Sequence, residues 1–427
     1  MRVYIYTLIY ILSSLSLYSQ DWAITMDSLL TTVSRDNLFD GQVLIAEGNK
    51  ILFSKAYGDK SDGTIIQKDT PLAITSVSKA FTAAAILILE DRKKLSLDDE
   101  LTKYYPDLPY NGVTLRSLLN MTSGLPRFQP TIVKYGDTSQ VYTTNKTIEL
   151  IAEYKPEGIE PGTQFGYNGD NYILLAGIVE KVSGVSYPQF LKEKIFTPLE
   201  MDHSYIFQKD ITSKDLPALG AGYIFSTAED LYKFDQGLYR DKLLSPDLIK
   251  ESYKYTRLKN DSLSNYGYGW RIYDNDSIKE VYVVGDGTDT RSSIQRYLNS
   301  RKTLIYIHNN SGSNWKGVYG AVRKIWEGKS FEVPKKRTVY SIDKDLYSRY
   351  IGKYLSNQFG LIHITQEDGK LYLRPNPIPG KEELIPSSNT TFYFSDQAME
   401  WEFFLDKEGN VLGLGLNGKP ETMGLKQ

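Results

Sequence analysis

Thr75-Ser76-Val77-Ser78-Lys79 runs straight into Ala80-Phe81-Thr82-Ala83-Ala84-Ala85-Ile86-Leu87-Ile88-Leu89. Small and aliphatic residues without Gly or Pro favour a helix that is apolar all round and therefore buried. Pro71 stands upstream, so the chain is extended there and turns helical near Ser76. Helix positions three apart share a face, which puts Ser76 and Lys79 together at the amino end. A serine hydroxyl can meet an amine base there, and unpaired first-turn N–H groups can face a developing oxyanion. The spacing alone is weak, because Ser313/Lys316 and Ser341/Lys344 repeat it.

The surrounding chain supplies context. At 427 residues it exceeds one ordinary core, which predicts two domains. A formal net charge of −2 gives no reason to expect nucleic acid or an anionic membrane as partner. With no cysteine, disulfides and thiolate chemistry are excluded. His203, His308 and His363 are far apart and form no spaced ligand motif, so neither a metal nor another cofactor is expected.

Met1-Arg2 precedes an apolar run from Val3 to Leu17, then Ser19-Gln20-Asp21. This reads as a signal peptide over 1–19, with a membrane anchor as the alternative reading, and predicts export to the periplasm or beyond. Trp22 to Asn37 reads as a helix. Gly41 to Ala46 and Ile51 to Tyr57 read as strands joined at Glu47-Gly48-Asn49-Lys50. Thr114 to Met121 is a short helical pattern ending in the loop Thr122-Ser123-Gly124-Leu125-Pro126. Phe165-Gly166-Tyr167-Asn168-Gly169-Asp170-Asn171 leads into an apolar helix, Tyr172 to Val182, with Asn168 and Asp170 as caps. Ser226 and Glu229 fit a capping box.

Between Val281 and Asn309 the pattern changes to strands, followed by a helix from Asn314 to Trp326 that could cover a sheet. Strands at both ends of a helical middle predict an antiparallel sheet flanked by helices, an α+β domain over 20–330. Lys329 to Lys336 reads as a linker. Beyond it, short strands with Gly turns predict a small all-β barrel over 338–427.

With these segments in view, the chain resembles the serine hydrolases related to class C β-lactamases, which include D-alanyl-D-alanine carboxypeptidases and esterases. The resemblance runs from Gly41 to Lys329. It rests on Ser76-Val77-Ser78-Lys79, on Thr114 to Leu119 with Thr122 to Pro126, and on Pro161-Gly162-Thr163 with Phe165 and Tyr167. Ser226 to Leu231 and Tyr266-Gly267-Tyr268-Gly269-Trp270 complete it. The tail from Tyr340 is similar to a β-barrel often appended to such hydrolases.

The resemblance implies that Ser76 is acylated, Lys79 takes its proton and Tyr167 passes a proton to the leaving group. It implies an oxyanion hole from the N–H of Ser76 and of Thr288, in a third motif at Gly287 and Thr288. Two departures stand out. The family's Tyr-x-Asn has Gly169 in its third place, where Asn168 or Asn171 could substitute. The third motif, Gly285-Asp286-Gly287-Thr288, has no basic residue. Arg291 is the basic residue of that loop, and it could reach back to hold a substrate carboxylate. The expected function is an exported serine hydrolase forming an acyl-enzyme with a small ester or amide, an esterase or D-amino-acid peptidase ahead of a β-lactamase. The alternative is a non-catalytic relative binding a peptidoglycan-like or peptide ligand in the same cleft. Trp270 either lines that cleft or fills the core.

Overall fold

The computed structural model describes residues 22–427 apart from 129–130, 132–133, 137–143, 208–218, 240–242, 276–278, 288–289, 311–313, 337–339, 344–345, 357–359, 377–380, 395–399 and 417–422. The signal-peptide reading of 1–19 and the candidate Thr288 therefore lie outside the described residues. By compactness the chain divides into residues 41–309 and a second unit of residues up to 40 with 310–427.

Within 41–309, one sheet draws its strands from both ends of the segment. Its strands are β1 (Gly41–Glu47), β2 (Lys50–Tyr57), β6 (Arg271–Asp274), β7 (Lys279–Asp286), β8 (Arg291–Tyr297) and β9 (Lys302–His308). They run in the order β2-β1-β9-β8-β7-β6, antiparallel throughout. Central β1 is buried from Gly41 to Ala46, which is why Val43-Leu44-Ile45 reads as a continuous apolar run. Edge strand β2 is mostly exposed or half-buried.

A smaller sheet joins β3 (Leu72–Ala73), β4 (Tyr205–Ile206) and β5 (Ile224–Ser226), in the order β3-β5-β4. Helix α2 (Ser78–Asp91) is buried from Ser78 to Leu89, as its lack of a polar face requires. It packs on α4 (Asp170–Ser183), which ends at Gly184 in the left-handed conformation that closes helices. Phe81 of α2 stacks at 4.0 Å on Phe234 of α5 (Ala228–Tyr239), and α5 lies on β1 and β9.

The expected α+β architecture is the observed one, with local differences. Ser76 is not in the helix but in a 3₁₀ turn, Thr75–Val77, ahead of it. The cap of α5 is Thr227 rather than Ser226: the Thr227 hydroxyl accepts from the Asp230 N–H at 3.1 Å, and Glu229 takes the Ser54 hydroxyl instead. Of the pair expected to cap α4, Asn168 accepts the Asp170 N–H at 3.1 Å while Asp170 is already helical. Helix α3 (Leu115–Leu119) does carry a capping box, Thr114 with Ser117.

The second unit contains α1 (22–35) and α6 (Trp315–Trp326), whose Trp22 and Trp326 rings meet edge to face at 5.0 Å. Its remainder is a closed eight-stranded barrel. Gly352–Ser356 pairs with both Gly360–Glu367 and Gly424–Lys426, which closes it. An aromatic cluster fills the interior, with Tyr350 stacked at 4.2 Å on Phe403. Closure pairs the two end strands among the described residues, which removes the usual sheet edges.

Candidate active site

The turn holding Ser76 is braced on two sides. β3 pairs with β5, and the Ile74 N–H continues that pairing to Ile224 O at 3.0 Å. From the main sheet, the Ser292 hydroxyl donates to Ile74 O at 2.6 Å. Gly285 presses close: a Cβ there would lie 2.1 Å from Thr75 Oγ1 and 2.4 Å from Ile74 O. Thr75 has φ of +44°, a conformation costly for a β-branched residue and sustained only by such surroundings. Ser76 itself is half-buried.

Lys79 is 2% exposed, with Nζ 2.8 Å from Ser76 Oγ and 3.0 Å from Ala221 O. Burial drives the Lys79 pKa below the ordinary lysine value; the Tyr167 phenol and, further down, the Asp170 carboxylate push the other way. The Ala221 carbonyl is fixed by its neighbour. Gly220 has φ of +88°, its carbonyl accepts the Thr82 hydroxyl at 2.6 Å, and a Cβ there would meet Tyr172 O at 2.3 Å. Only glycine fits that approach.

Tyr167 arrives from the loop before α4. Lys79 Nζ is 5.1 Å from its ring centroid. Its backbone is tethered by the Gly166 N–H to Met121 O at 2.9 Å. On the ring's other contacts, Tyr266 meets it edge-on at 6.2 Å and the Arg271 guanidinium lies 5.9 Å from the centroid. Ser76, Lys79 and Tyr167 are thus gathered from a turn, a helix and a distant loop.

The remaining candidates are placed differently. Asn168 is buried and its amide donates to Leu125 O at 3.1 Å and Pro126 O at 3.2 Å, bracing a loop. Asn171 is fully buried, accepting the Ser123 hydroxyl at 2.9 Å and donating to Leu118 O at 3.3 Å. Both amides are committed to the scaffold, so neither stands in for the one missing at Gly169. A Cβ on Gly169 would meet only Ala221 Cβ, at 3.7 Å. The Gly287 N–H donates to Thr290 O at 2.9 Å, and its carbonyl accepts from Arg291. Arg291 also donates to Thr290 O at 3.1 Å and pairs with Asp286 at 2.9 Å. It folds onto its own hairpin rather than back over the site.

Sequence reasoning missed Arg271, Tyr266 and the Ala221 carbonyl. Tyr266 and Trp270 were in view as part of a block, but nothing local signals that the loop between them turns Tyr266 toward Tyr167. Trp270 fills the core: it is buried against Tyr253 at 5.9 Å and beneath Arg296 at 5.5 Å. Arg296 and Asp235 form a fully buried pair, Nε to Oδ1 2.5 Å, with Thr303 donating to the other oxygen at 3.0 Å.

Residues 32–324 match the Beta-lactamase family, and residues 336–427 match a domain of unknown function, DUF3471. Penicillin-binding protein 4* of Bacillus subtilis (strain 168) is 29% identical over 426 residues, covering 90% of this chain and 94% of its own. The Teichoic acid D-alanine hydrolase of Staphylococcus aureus is 24% identical, covering 66% and 78%. Among solved structures, the octameric penicillin-binding protein homologue from Pyrococcus abyssi has a TM-score of 0.62 at 22% identity, covering 94% of this chain and 99% of that one. D-amino acid amidase from Ochrobactrum anthropi SV3 has a TM-score of 0.59 at 21% identity, covering 72% and 98%. These two likenesses show a shared fold.

Proposed function

The chain belongs to the beta-lactamase family, and on that premise we propose that it is a serine hydrolase forming an acyl-enzyme at Ser76. The observation that carries this reading is the buried Lys79 amine 2.8 Å from the Ser76 hydroxyl. A serine hydroxyl is a weak nucleophile until a neighbour removes its proton. A lysine can do so only when neutral, and burial favours that form here.

In the proposed cycle the Ser76 proton passes to Lys79 Nζ as Oγ bonds to the substrate carbonyl carbon. The carbonyl electrons move to oxygen, which the Ser76 N–H receives with a second donor, assigned to Thr288. As the tetrahedral species collapses, Tyr167 protonates the leaving alcohol or amine and is reprotonated from Lys79. Water then repeats the sequence and releases the acid.

Esters and amides of D-amino acids are the proposed substrates. Relatives named as a D-alanine hydrolase and a D-amino acid amidase support this class. Gly169 and the loop at Asp286 weigh against β-lactams, because both departures fall where the family resemblance implies contacts to the acyl amide and to a carboxylate. Export through the segment 1–19 and a hydrolase domain spanning 20–330 with a barrel over 338–427 complete the proposal. Among the described residues no helix is long and apolar enough to cross a membrane.

The test is labelling with a fluorophosphonate, followed by peptide mass spectrometry. An adduct on Ser76, lost in Ser76→Ala, is expected. Absence of any adduct, with ligand binding intact in Ser76→Ala, would instead make the chain a binding relative.

A further inference from the structure

In the proposed cycle Tyr167 gives up its proton while Lys79 is the acid that returns it, so negative charge develops on the phenol oxygen. A preorganised positive charge beside that oxygen lowers the barrier. The third loop does not supply one. Gly285, Asp286 and Gly287 are not basic, and Arg291 is paired with Asp286.

Another cation lies over the Tyr167 ring. The Arg271 guanidinium lies 5.9 Å from the Tyr167 ring centroid and 5.8 Å from that of Tyr266. Such distances put a cation within the attraction of an aromatic ring. Arg271 is half-buried, and among the described residues no carboxylate forms an ion pair with it. Backbone pairing fixes the arrangement. Tyr266 and Arg271 face each other in an antiparallel bridge, the Gly267 N–H donates to Trp270 O at 2.9 Å, and the Ile272 N–H donates to Asn265 O at 2.8 Å. Gly269, at φ of +82°, lets the loop between them turn that tightly.

Tyr266 is the second half of the device. It is buried and meets Tyr167 edge-on. Burial raises the Tyr266 pKa, the neighbouring Tyr167 phenol adds to the rise, and Arg271 opposes it. Tyr266 therefore stays a neutral wall that holds the Tyr167 ring against the guanidinium.

We propose that Arg271, backed by Tyr266, is a positioning residue that orients Tyr167 and stabilises the charge that forms on it as the leaving group is protonated. The proposal rests on the Ser76 acyl-enzyme reading. It differs from a substrate anchor because it acts on substrates that carry no charge.

The test compares two uncharged esters with the full chain. An aliphatic ester needs its alcohol protonated; a p-nitrophenyl ester leaves as a stable anion and does not. In single-turnover acylation, Arg271→Met should lower the rate for the aliphatic ester about tenfold or more, a modest share of general-acid catalysis, with substrate binding little changed. The p-nitrophenyl ester should lose far less. Arg271→Lys should recover most of the loss, and Tyr266→Phe should fall between. Equal losses on both esters, or no loss on either, would overturn the proposal. So would a loss seen only as a raised KM for carboxylate-bearing substrates. If the unaltered chain turns over neither ester, the parent reading fails; if it does and Arg271→Met matches it, only this inference fails.

Discussion

Asp286 and Arg291 neutralise each other at 2.9 Å across the paired ends of β7 and β8. The pair leaves the acid of this loop compensated by its own hairpin. It also has a measurable signature. Arg291→Ala leaves the Asp286 carboxylate uncompensated and should raise KM for an anionic substrate by about threefold, the scale of a partly exposed pair. Asp286→Asn combined with Arg291→Ala should restore it. Steady-state kinetics on one carboxylate-bearing ester and its methyl ester check both steps, and the methyl ester should be indifferent to either change.

The depressed Lys79 pKa sets a pH dependence. Acylation needs the neutral amine, so the rate rises with pH along a limb whose midpoint lies below 10.5, the ordinary value. Stability carries the same sign. Between the folded and ordinary values the unfolded chain binds more protons, so this group's contribution to stability rises with pH through that window. Lys79→Met should abolish labelling of Ser76 yet raise stability at neutral pH by about 1 kcal/mol, a typical gain from removing a site built for function. Thermal unfolding at two pH values measures it.

The Arg296–Asp235 pair predicts the opposite behaviour. Both side chains are fully buried, so removing the acid strands a charge. Asp235→Ala should destabilise the fold by about 3–5 kcal/mol. Asp235→Asn keeps the shape and should cost less. Urea unfolding followed by tryptophan fluorescence suits this test, since Trp270 lies beside Arg296.

Gly169 offers a gain of function. Its Cβ direction is open apart from Ala221 Cβ at 3.7 Å. Gly169→Asn should fold normally and return an amide to the place the resemblance assigns to binding the acyl amide. The ratio of amide to ester turnover should rise by about tenfold, the value of one hydrogen bond worth about 1.4 kcal/mol. Paired assays of a D-amino acid amide and its ester read the ratio directly.

Much of this was legible in the chain. The apolar run of α2, the short strands with Gly turns in the barrel and the strands at both ends of 41–309 are local patterns, and they gave the architecture. Ser76 and Lys79 are close in sequence and do meet, although the serine lies in a 3₁₀ turn ahead of the helix rather than on it. The missed features are long-range. Arg271 reaches Tyr167 beside its bridge to Tyr266, and Ala221 reaches Lys79 next to a tight glycine turn at Gly220. The roles open to Asn168 and Arg291 depended on which neighbours competed for them, and backbone carbonyls and Asp286 took both.

The bare backbone at Gly285, wedged against Thr75 and Ile74, makes the Ser76 turn and the sheet a single mechanical piece. Thr75 cannot relax unless β7 retreats. Any methyl group grafted there would act as a spacer that slackens the turn and disarms Ser76 without touching it.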